Sequence, residues 1–302
     1  MAVAVGRVTV RIPATVANLG AGFDVLAAAV GVHAEVTVGT STEAEVRAPG
    51  LSVPLDQSNL IYRSAAAVAS KAGYDGAFAI DARSPIPLRG GLGSSAAAIV
   101  GGLVAANRLL GAGLDPAALL ALAAEIEGHP DNVAAALFGG VVIVAAHGSG
   151  YRWLRVTPTT PLSVVLATPA IEIETAAARG VLPREVSRQD AVFNIGRATL
   201  LVAALAQGRT DLLGDALQDR LHQPYRASLI PGFDAVRNAS ISAGAYGAVL
   251  SGSGPTIAAV APPAAADAVG RSMKDAFSNA GLASRILVTA IEARGALDAA
   301  LT

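Results

Sequence analysis

The chain has 302 residues, 53% of them hydrophobic and 15% charged, with a formal net charge of −1. That length leaves room for two domains or lobes and a sizeable core, while its 20 arginines and two lysines, scattered singly beside one tryptophan, give nucleic acid neither a basic stripe nor a stacking platform. The absence of cysteine excludes disulfides, thiolate metal sites and a cysteine nucleophile, and the four histidines (His33, His129, His147, His222) lie too scattered in sequence to support a metal site.

Arg7 and Arg11 interrupt the apolar start "MAVAVGRVTVRI", which therefore does not read as a signal peptide. Residues 7–12 and 33–38 alternate polar and apolar and predict strands with one buried face, and "FDVLAAAV" between them suits a buried strand. "NLIYRSAAAVASKAG" (residues 59–73) predicts a helix closed by glycine, and "AFAIDAR" a strand. The next helix starts near Ser94 and stops at Gly111. Its apolar run Ala96 to Ala106 is 11 residues, against the roughly 20 a bilayer needs. The chain is thus expected to be soluble and cytoplasmic, without a membrane partner.

Asp115-Pro116 is a helix cap followed by proline at the first helical position, and that helix runs to Glu127. "GGVVIVAA" (139–146) is a buried strand. "HGSGYRWLRVTPTTP" (147–161) breaks the pattern and places a lobe boundary near residue 155, dividing the chain into 1–155 and 156–302. Beyond it come a strand ("LSVVLAT"), several helices, a strand ("YGAVL"), the turn "SGSGPT", a strand ("IAAVAP"), a helix over about 263–279 and a last strand ("SRILVTAI"). The class is α+β, with mixed or antiparallel sheets and helices packed on them.

"PLRGGLGSSAAA" (87–98) is the stretch that asks for a ligand. A Walker loop needs a lysine after the glycines, and none is there. "GLGSSA" fits the dinucleotide fingerprint, but a first βα turn and an acidic residue ending the next strand are missing. A third reading needs neither: glycines let the backbone approach an anion, the open N–H groups of the helix start bind it, and Ser94 and Ser95 add hydroxyls for phosphate or metal. A merely capped helix also fits.

Two further glycine-rich turns sit at strand ends, "PATVANLGAGFD" (13–24) and "LSGSGPT" (250–256). Together with the loop they resemble, in order and along essentially the whole chain, the three motifs of the GHMP kinases. The loop matches that family's P-x-x-x-G-L-G-S-S-A from Pro87 through Leu88, Arg89, Gly90, Gly91, Leu92, Gly93, Ser94 and Ser95 to Ala96. Within the family, "PATVANLGAGFD", "EGHPDNVAAALFGG" (127–140) and "PYRASLIPGF" (224–233) are similar to segments of the homoserine kinases, with Ala135 where proline is usual.

The resemblance implies a two-lobed fold, the first lobe like ribosomal protein S5 domain 2 and the second ferredoxin-like. It implies ATP and Mg²⁺ as cofactors, L-homoserine as the small-molecule partner, and a homodimer, since members are often dimeric. Another kinase of the family acting on a small alcohol, or a non-catalytic metabolite-binding relative, are the competing readings.

Asp24 suits the ammonium of an amino-acid substrate, although an Asx turn explains it equally; Asn18 would hydrogen-bond the substrate. Arg179 and Arg226 suit its carboxylate, because guanidinium binds carboxylate bidentately. Glu127 stands where a helix dipole disfavours a carboxylate, a penalty that a Mg²⁺ shared with ATP would reverse. By resemblance Glu127 and Ser95 hold the metal, His129 lies at the substrate, and Asn59 at the adenine, where helix capping explains it equally; Glu125 is the alternative ligand, although a solvated helix face suits it better. Lys71 and Lys274 lie far from the motifs, so no lysine serves as base. Thr175 matches the family's threonine near the substrate, and the hydroxyl proton would pass to the γ-phosphate.

Overall fold

The computed structural model describes residues 6–298, organised by two β-sheets. The first holds β1 (Arg7–Ala17), β2 (Leu26–Ser41), β3 (Glu45–Arg47), β4 (Ala77–Arg83), β5 (Val141–His147) and β6 (Gly150–Val156). Its order is β3-β4-β2-β5-β6, with β1 antiparallel to β2 and only the β3–β4 pair parallel. Helices α1 (Leu60–Ala72), α2 (Ser94–Leu110), α3 (Pro116–Glu127) and α4 (Asp131–Phe138) cover it. The mid-helix glycines of α2 cost helix propensity, but a Cβ on Gly102 would stand 2.4 Å from the Ile61 carbonyl oxygen. Gly102 lets α2 approach α1 closely, while Gly101 faces Val36 and Ile12 of the sheet.

The second sheet is antiparallel, ordered β10 (Ser284–Ala290), β7 (Ser163–Pro169), β9 (Ile257–Ala261), β8 (Gly247–Leu250). Between β7 and β8 run α5 (Thr175–Gly180), α6 (Arg188–Gln207), α7 (Leu213–Ala216), α8 (Gln223–Arg226) and α9 (Phe233–Ser242); α10 (Ala266–Asn279) joins β9 to β10. This is the β-α-β-β-α-β succession of a ferredoxin-like unit. One apolar core runs from beneath the first sheet into Leu162, Val164, Leu201, Leu205 and Val249, so the halves are welded rather than merely tethered. A second core, around Val165, Leu250, Met273 and Phe277, lies against the second sheet. Among the described residues no helix is long and apolar enough to cross a membrane.

Four local expectations change. β1 continues five residues past Ile12, with a register shift between Pro13 and Ala14 where proline supplies no ladder N–H. The two strands expected on either side of Gly31 are a single β2, and Phe23 to Val25 belong to the preceding turn. The stretch expected to break the pattern at 147–161 contains β6, paired with β5 around Gly148 (φ 58°), with Trp153 stacked on Phe138 at 4.5 Å. The segment after His129, to which the sequence pattern assigns no element, is α4. All eight of its residues are buried, so it carries no amphipathic period. Ala135 lies inside it, fully buried, and continues the helix where proline would interrupt it.

Candidate active site

The loop between β4 and α2 is built for a close approach. Arg89, Gly91 and Gly93 all have positive φ (52°, 77° and 68°). A Cβ on Gly91 would stand 2.5 Å from the Ser251 carbonyl oxygen, and one on Gly93 2.0 Å from Thr15 Oγ1, so only glycine fits at either place. The loop is strapped to the turn after β8: Ser251 Oγ donates to the Gly91 carbonyl and Thr256 Oγ1 to the Gly90 carbonyl, both at 2.6 Å. Behind it, Thr15 Oγ1 donates to Asn132 Oδ1 at 2.6 Å, tying β1 to α4. All three glycine-rich turns read from the sequence thus meet at one place.

The cap residue of α2 is Gly93, and no side chain caps the helix start. This decides against the simple capped helix and leaves N–H groups facing a cleft of about 180 Å³. The dinucleotide reading fails on topology, because β4 and β5, the strands on either side of the loop and its helices, are separated by antiparallel β2 instead of pairing side by side in a parallel sheet.

Across the cleft from the loop, at the end of α3, Glu127 Oε1 accepts a 2.6 Å hydrogen bond from Ser95 Oγ. The Glu127 side chain is 8% exposed. Burial pushes its pKa up, against the Ser95 hydrogen bond and the His129 charge, which pull it down. His129 Nδ1 lies 2.9 Å from Asp131 Oδ1, and its Nε2 3.9 Å from Glu127 Oε1. Burial lowers the His129 pKa, but the Asp131 hydrogen bond and the two carboxylates outweigh it, so the net shift is upward. Glu125 is exposed on the far side of α3 and lines neither cavity, so it is no metal ligand in this arrangement. Glu127 and Ser95 offer a carboxylate and a hydroxyl oxygen, a donor pair that fits Mg²⁺ completed by phosphate oxygens and water; no cluster of three His, Cys, Asp or Glu occurs among the described residues.

The opposite end of the cleft is charged. Asp24 (φ 55°) pairs bidentately with Arg179, at 3.0 Å (Nη1–Oδ2) and 2.8 Å (Nη2–Oδ1). The Asx-turn expectation finds no support, since its carboxylate serves Arg179 and the turn is closed instead by Asn18, whose Oδ1 accepts from Asp24 N at 3.1 Å. Asn18 Nδ2 donates to the Gly252 carbonyl, so this residue shapes the turn as well as lining the cleft. Arg226 is 2% exposed and donates to the carbonyls of Ala178 and Gly252, both at 3.0 Å. Burial, then the nearby Arg179 charge, lowers its pKa, and among the described residues no carboxylate forms an ion pair with it. Both guanidiniums stand over the Phe23 ring, 5.6 and 5.1 Å from its centroid. Thr175, at the start of α5, is exposed and also lines the cleft.

A second, mostly apolar groove of about 270 Å³ adjoins the cleft and shares Arg89, Ser94 and Ser95 with it. Leu51, Val53, Leu60, Leu88 and Ala98 form its walls. Asn59 lies at its edge but also caps α1, accepting from Ile61 N at 2.9 Å, so the capping reading is correct for its side-chain oxygen. Of the loop residues, Leu92 and Ala96 are buried in the core and Gly90 is buried with its carbonyl occupied, so these three support the site without lining it; Pro87 lines neither cavity. Neither lysine lines either cavity. Phe23, Asp131, Gly252 and Ser253 line the cleft and had been quoted within motifs without a role.

Comparison with known proteins matches this arrangement. The family model for the GHMP kinases N terminal domain matches residues 59–140, and that for the GHMP kinases C terminal domain residues 201–279. The homoserine kinase of Trichormus variabilis is 44% identical over 298 residues, covering 97% of this chain and 99% of the relative. That of Carboxydothermus hydrogenoformans is 44% identical over 296 residues, covering 96% of each. The crystal structure of homoserine kinase from Cytophaga hutchinsonii superposes with a TM-score of 0.88 at 35% identity, covering 96% of each chain.

Proposed function

The chain belongs to the GHMP kinase family, and on that footing we propose that it is an ATP-dependent homoserine kinase. It transfers the γ-phosphoryl group of ATP to the side-chain hydroxyl of L-homoserine, making O-phospho-L-homoserine for threonine biosynthesis. The observation that carries the substrate is the charged end of the cleft. Asp24 pairs with Arg179 beside Arg226, and among the described residues Arg226 is a buried guanidinium that makes no ion pair of its own. An amino-acid zwitterion complements that set: its carboxylate answers Arg226 and Arg179, its ammonium answers Asp24. A neutral sugar or an alcohol acid without an ammonium leaves charges unpaired.

The rest of the cleft fits the donor. The apolar groove takes the adenine beside Asn59, and the phosphates run over Arg89, Ser94 and Ser95, the residues common to both cavities. The N–H groups opening α2 bind phosphate oxygens without a lysine. Ser95 and Glu127 would hold Mg²⁺, which supplies positive charge to the β- and γ-phosphates when bound. On this reading residues 1–155 form the nucleotide-binding lobe and 156–302 the second lobe, the pair acting as one body or as half of a homodimer.

No lysine stands at the site to take the hydroxyl proton. Thr175 orients the attacking hydroxyl, and the proton passes to the phosphoryl group itself. Phosphoryl transfer tolerates this because positioning and charge stabilisation supply most of the acceleration. His129, held by Asp131, fixes the polar wall between the metal ligands and the substrate.

ADP release measured with ATP, Mg²⁺ and L-homoserine, beside mevalonate, galactose and L-serine, tests the reading. Turnover with homoserine alone is the expected result. Turnover with a neutral alcohol in preference to homoserine would remove the role given to the two arginines.

A further inference from the structure

The histidine of "LHQPYR" has no part in the chemistry above, yet its side chain is completely buried beside the site. His222 is 0% exposed, and its Nε2 lies 2.8 Å from the Gly20 carbonyl oxygen. A carbonyl only accepts, so Nε2 carries the hydrogen and Nδ1 is bare; Nδ1 is buried with no partner. An unpaired buried nitrogen is a cost that a phenylalanine or leucine at this place would not bear. The imidazole must therefore do something that an apolar ring cannot.

What it touches identifies that role. Gly20 (φ 71°) lies in the turn between β1 and β2 that carries Asn18, Phe23 and Asp24, and His222 follows α7 in the other half of the molecule. The same imidazole stacks on Phe23, with ring centroids 5.4 Å apart and planes at 24°. Phe23 in turn carries the guanidiniums of Arg179 and Arg226. Behind His222 stands a second buried pair. The Asp219 carboxylate accepts from the backbone N–H groups of Leu221, His222 and Gln223 and from Asn194 Nδ2 at 2.7 Å. Asn194 Nδ2 reaches the Ala21 carbonyl at 3.3 Å, and Asn194 Oδ1 accepts from Arg220 N. Two adjacent carbonyls of one turn, Gly20 and Ala21, are thus held from the same buried network.

We propose that His222, backed by Asp219 and Asn194, is the positioning residue of the substrate turn: through Gly20 and Phe23 it sets where the carboxylate-binding arginines stand. The substrate named rests on the function proposed above; the positioning role does not. None of the three residues lines the nucleotide groove, so their effect falls on one substrate only.

The test is H222F, which keeps a ring against Phe23 but loses the Gly20 hydrogen bond, with H222Q, whose amide N–H can restore it, and F23L. H222F is expected to raise the KM for homoserine about tenfold or more while leaving the KM for ATP within about twofold, and H222Q to recover most of the loss. F23L is expected to reproduce the homoserine defect with the hydrogen bond in place. Hydrogen exchange, read on the folded proteins without substrate, should quicken at amides 18–24 in H222F and stay unchanged at 87–98. Equal rises in both KM values, or wild-type exchange at 18–24, overturn the positioning role. If H222F does not fold, H222Q and F23L decide: both KM values rising together in either variant overturns it. Wild-type enzyme that does not turn over homoserine would overturn the proposed function, while the exchange measurement would still decide this inference.

Discussion

The two ends of the cleft are built from opposite materials. The phosphate end is backbone: three positive-φ residues, an uncapped helix start and glycines that admit no Cβ, held from behind by Ser251, Thr256 and Thr15. The acceptor end is side chain: a bidentate Asp24–Arg179 pair, a buried Arg226 and an aromatic platform beneath both arginines. Backbone amides recognise any phosphate and cannot be altered by single substitutions, whereas charges on side chains can be re-set one at a time. The arrangement separates what every ATP-dependent relative needs from what selects the acceptor. Substitutions at the two ends should therefore fail in different kinetic constants.

The largest effect is expected where the ends meet. E127Q removes the proposed metal ligand and should lower kcat by about 10²–10³-fold or more, the scale of losing one transition-state charge contact. The same change should stabilise the empty protein. Burial raises the Glu127 pKa above its ordinary 4.5, so the folded state binds the proton more tightly than the unfolded chain. That destabilisation is absent below pH 4.5 and grows as pH rises through the raised value. E127Q is accordingly expected to melt about 2–4 °C above wild type at pH 7, with the gap closing near pH 4. Melting curves without ATP or Mg²⁺ at the two pH values check it; a gap widening toward pH 4 would reverse the argument.

R226M comes next. Losing a buried guanidinium's charge-assisted contacts, at about 1.5–3 kcal/mol each, should raise the KM for homoserine by roughly 10²–10³-fold and leave the KM for ATP nearly unchanged. Steady-state kinetics with each substrate varied separates the two. A rise confined to ATP would mean that the charged end has been misassigned. T175V should be milder, about a tenfold loss in kcat with both KM values near wild type, since the role proposed for Thr175 is to orient a hydroxyl and not to bear charge. If only the KM for homoserine moved and kcat stayed intact, Thr175 would have no part in the chemical step.

How much of this was legible in the sequence follows the same division. The backbone end was readable because glycine at positions 91 and 93, beside Ser94 and Ser95, has few other reasons to occur in that order. The helix and strand periods placed most elements for the ordinary reason that amphipathic segments announce their buried face. What failed was what burial hides: α4 is buried on every side, and β6 lies within a stretch whose glycines and prolines suggest a linker. At the acceptor end the sequence supplied Asp24, Arg179 and Arg226 as separate candidates but not their pairing, because Asp24 and its partner stand 155 positions apart. Phe23 and His222 carried no signal at all, since an aromatic after glycine and a histidine before a helix are ordinary on local grounds.

The smallest expected effect concerns a side chain that leaves the backbone end and crosses to the other half. Arg89 Nη1 lies 3.3 Å from Glu172 Oε2 and 3.6 Å from Glu174 Oε1, on the segment leading into Thr175. All three side chains are more than half exposed, so the pairs hold the halves together only weakly. Arg89 nevertheless lines both cavities, and on the proposed site the two glutamates would compete for it with the incoming phosphates. The double variant E172Q/E174Q should therefore lower the KM for ATP by about two- to fivefold at low ionic strength, and the gain should fade as salt shortens the screening length toward about 3 Å at 1 M. A higher KM for ATP in that variant would mean that the glutamates present Arg89 to the phosphates instead of withholding it. The backbone end would then depend on side chains from across the cleft, and the separation between the two ends would be less complete than their construction suggests.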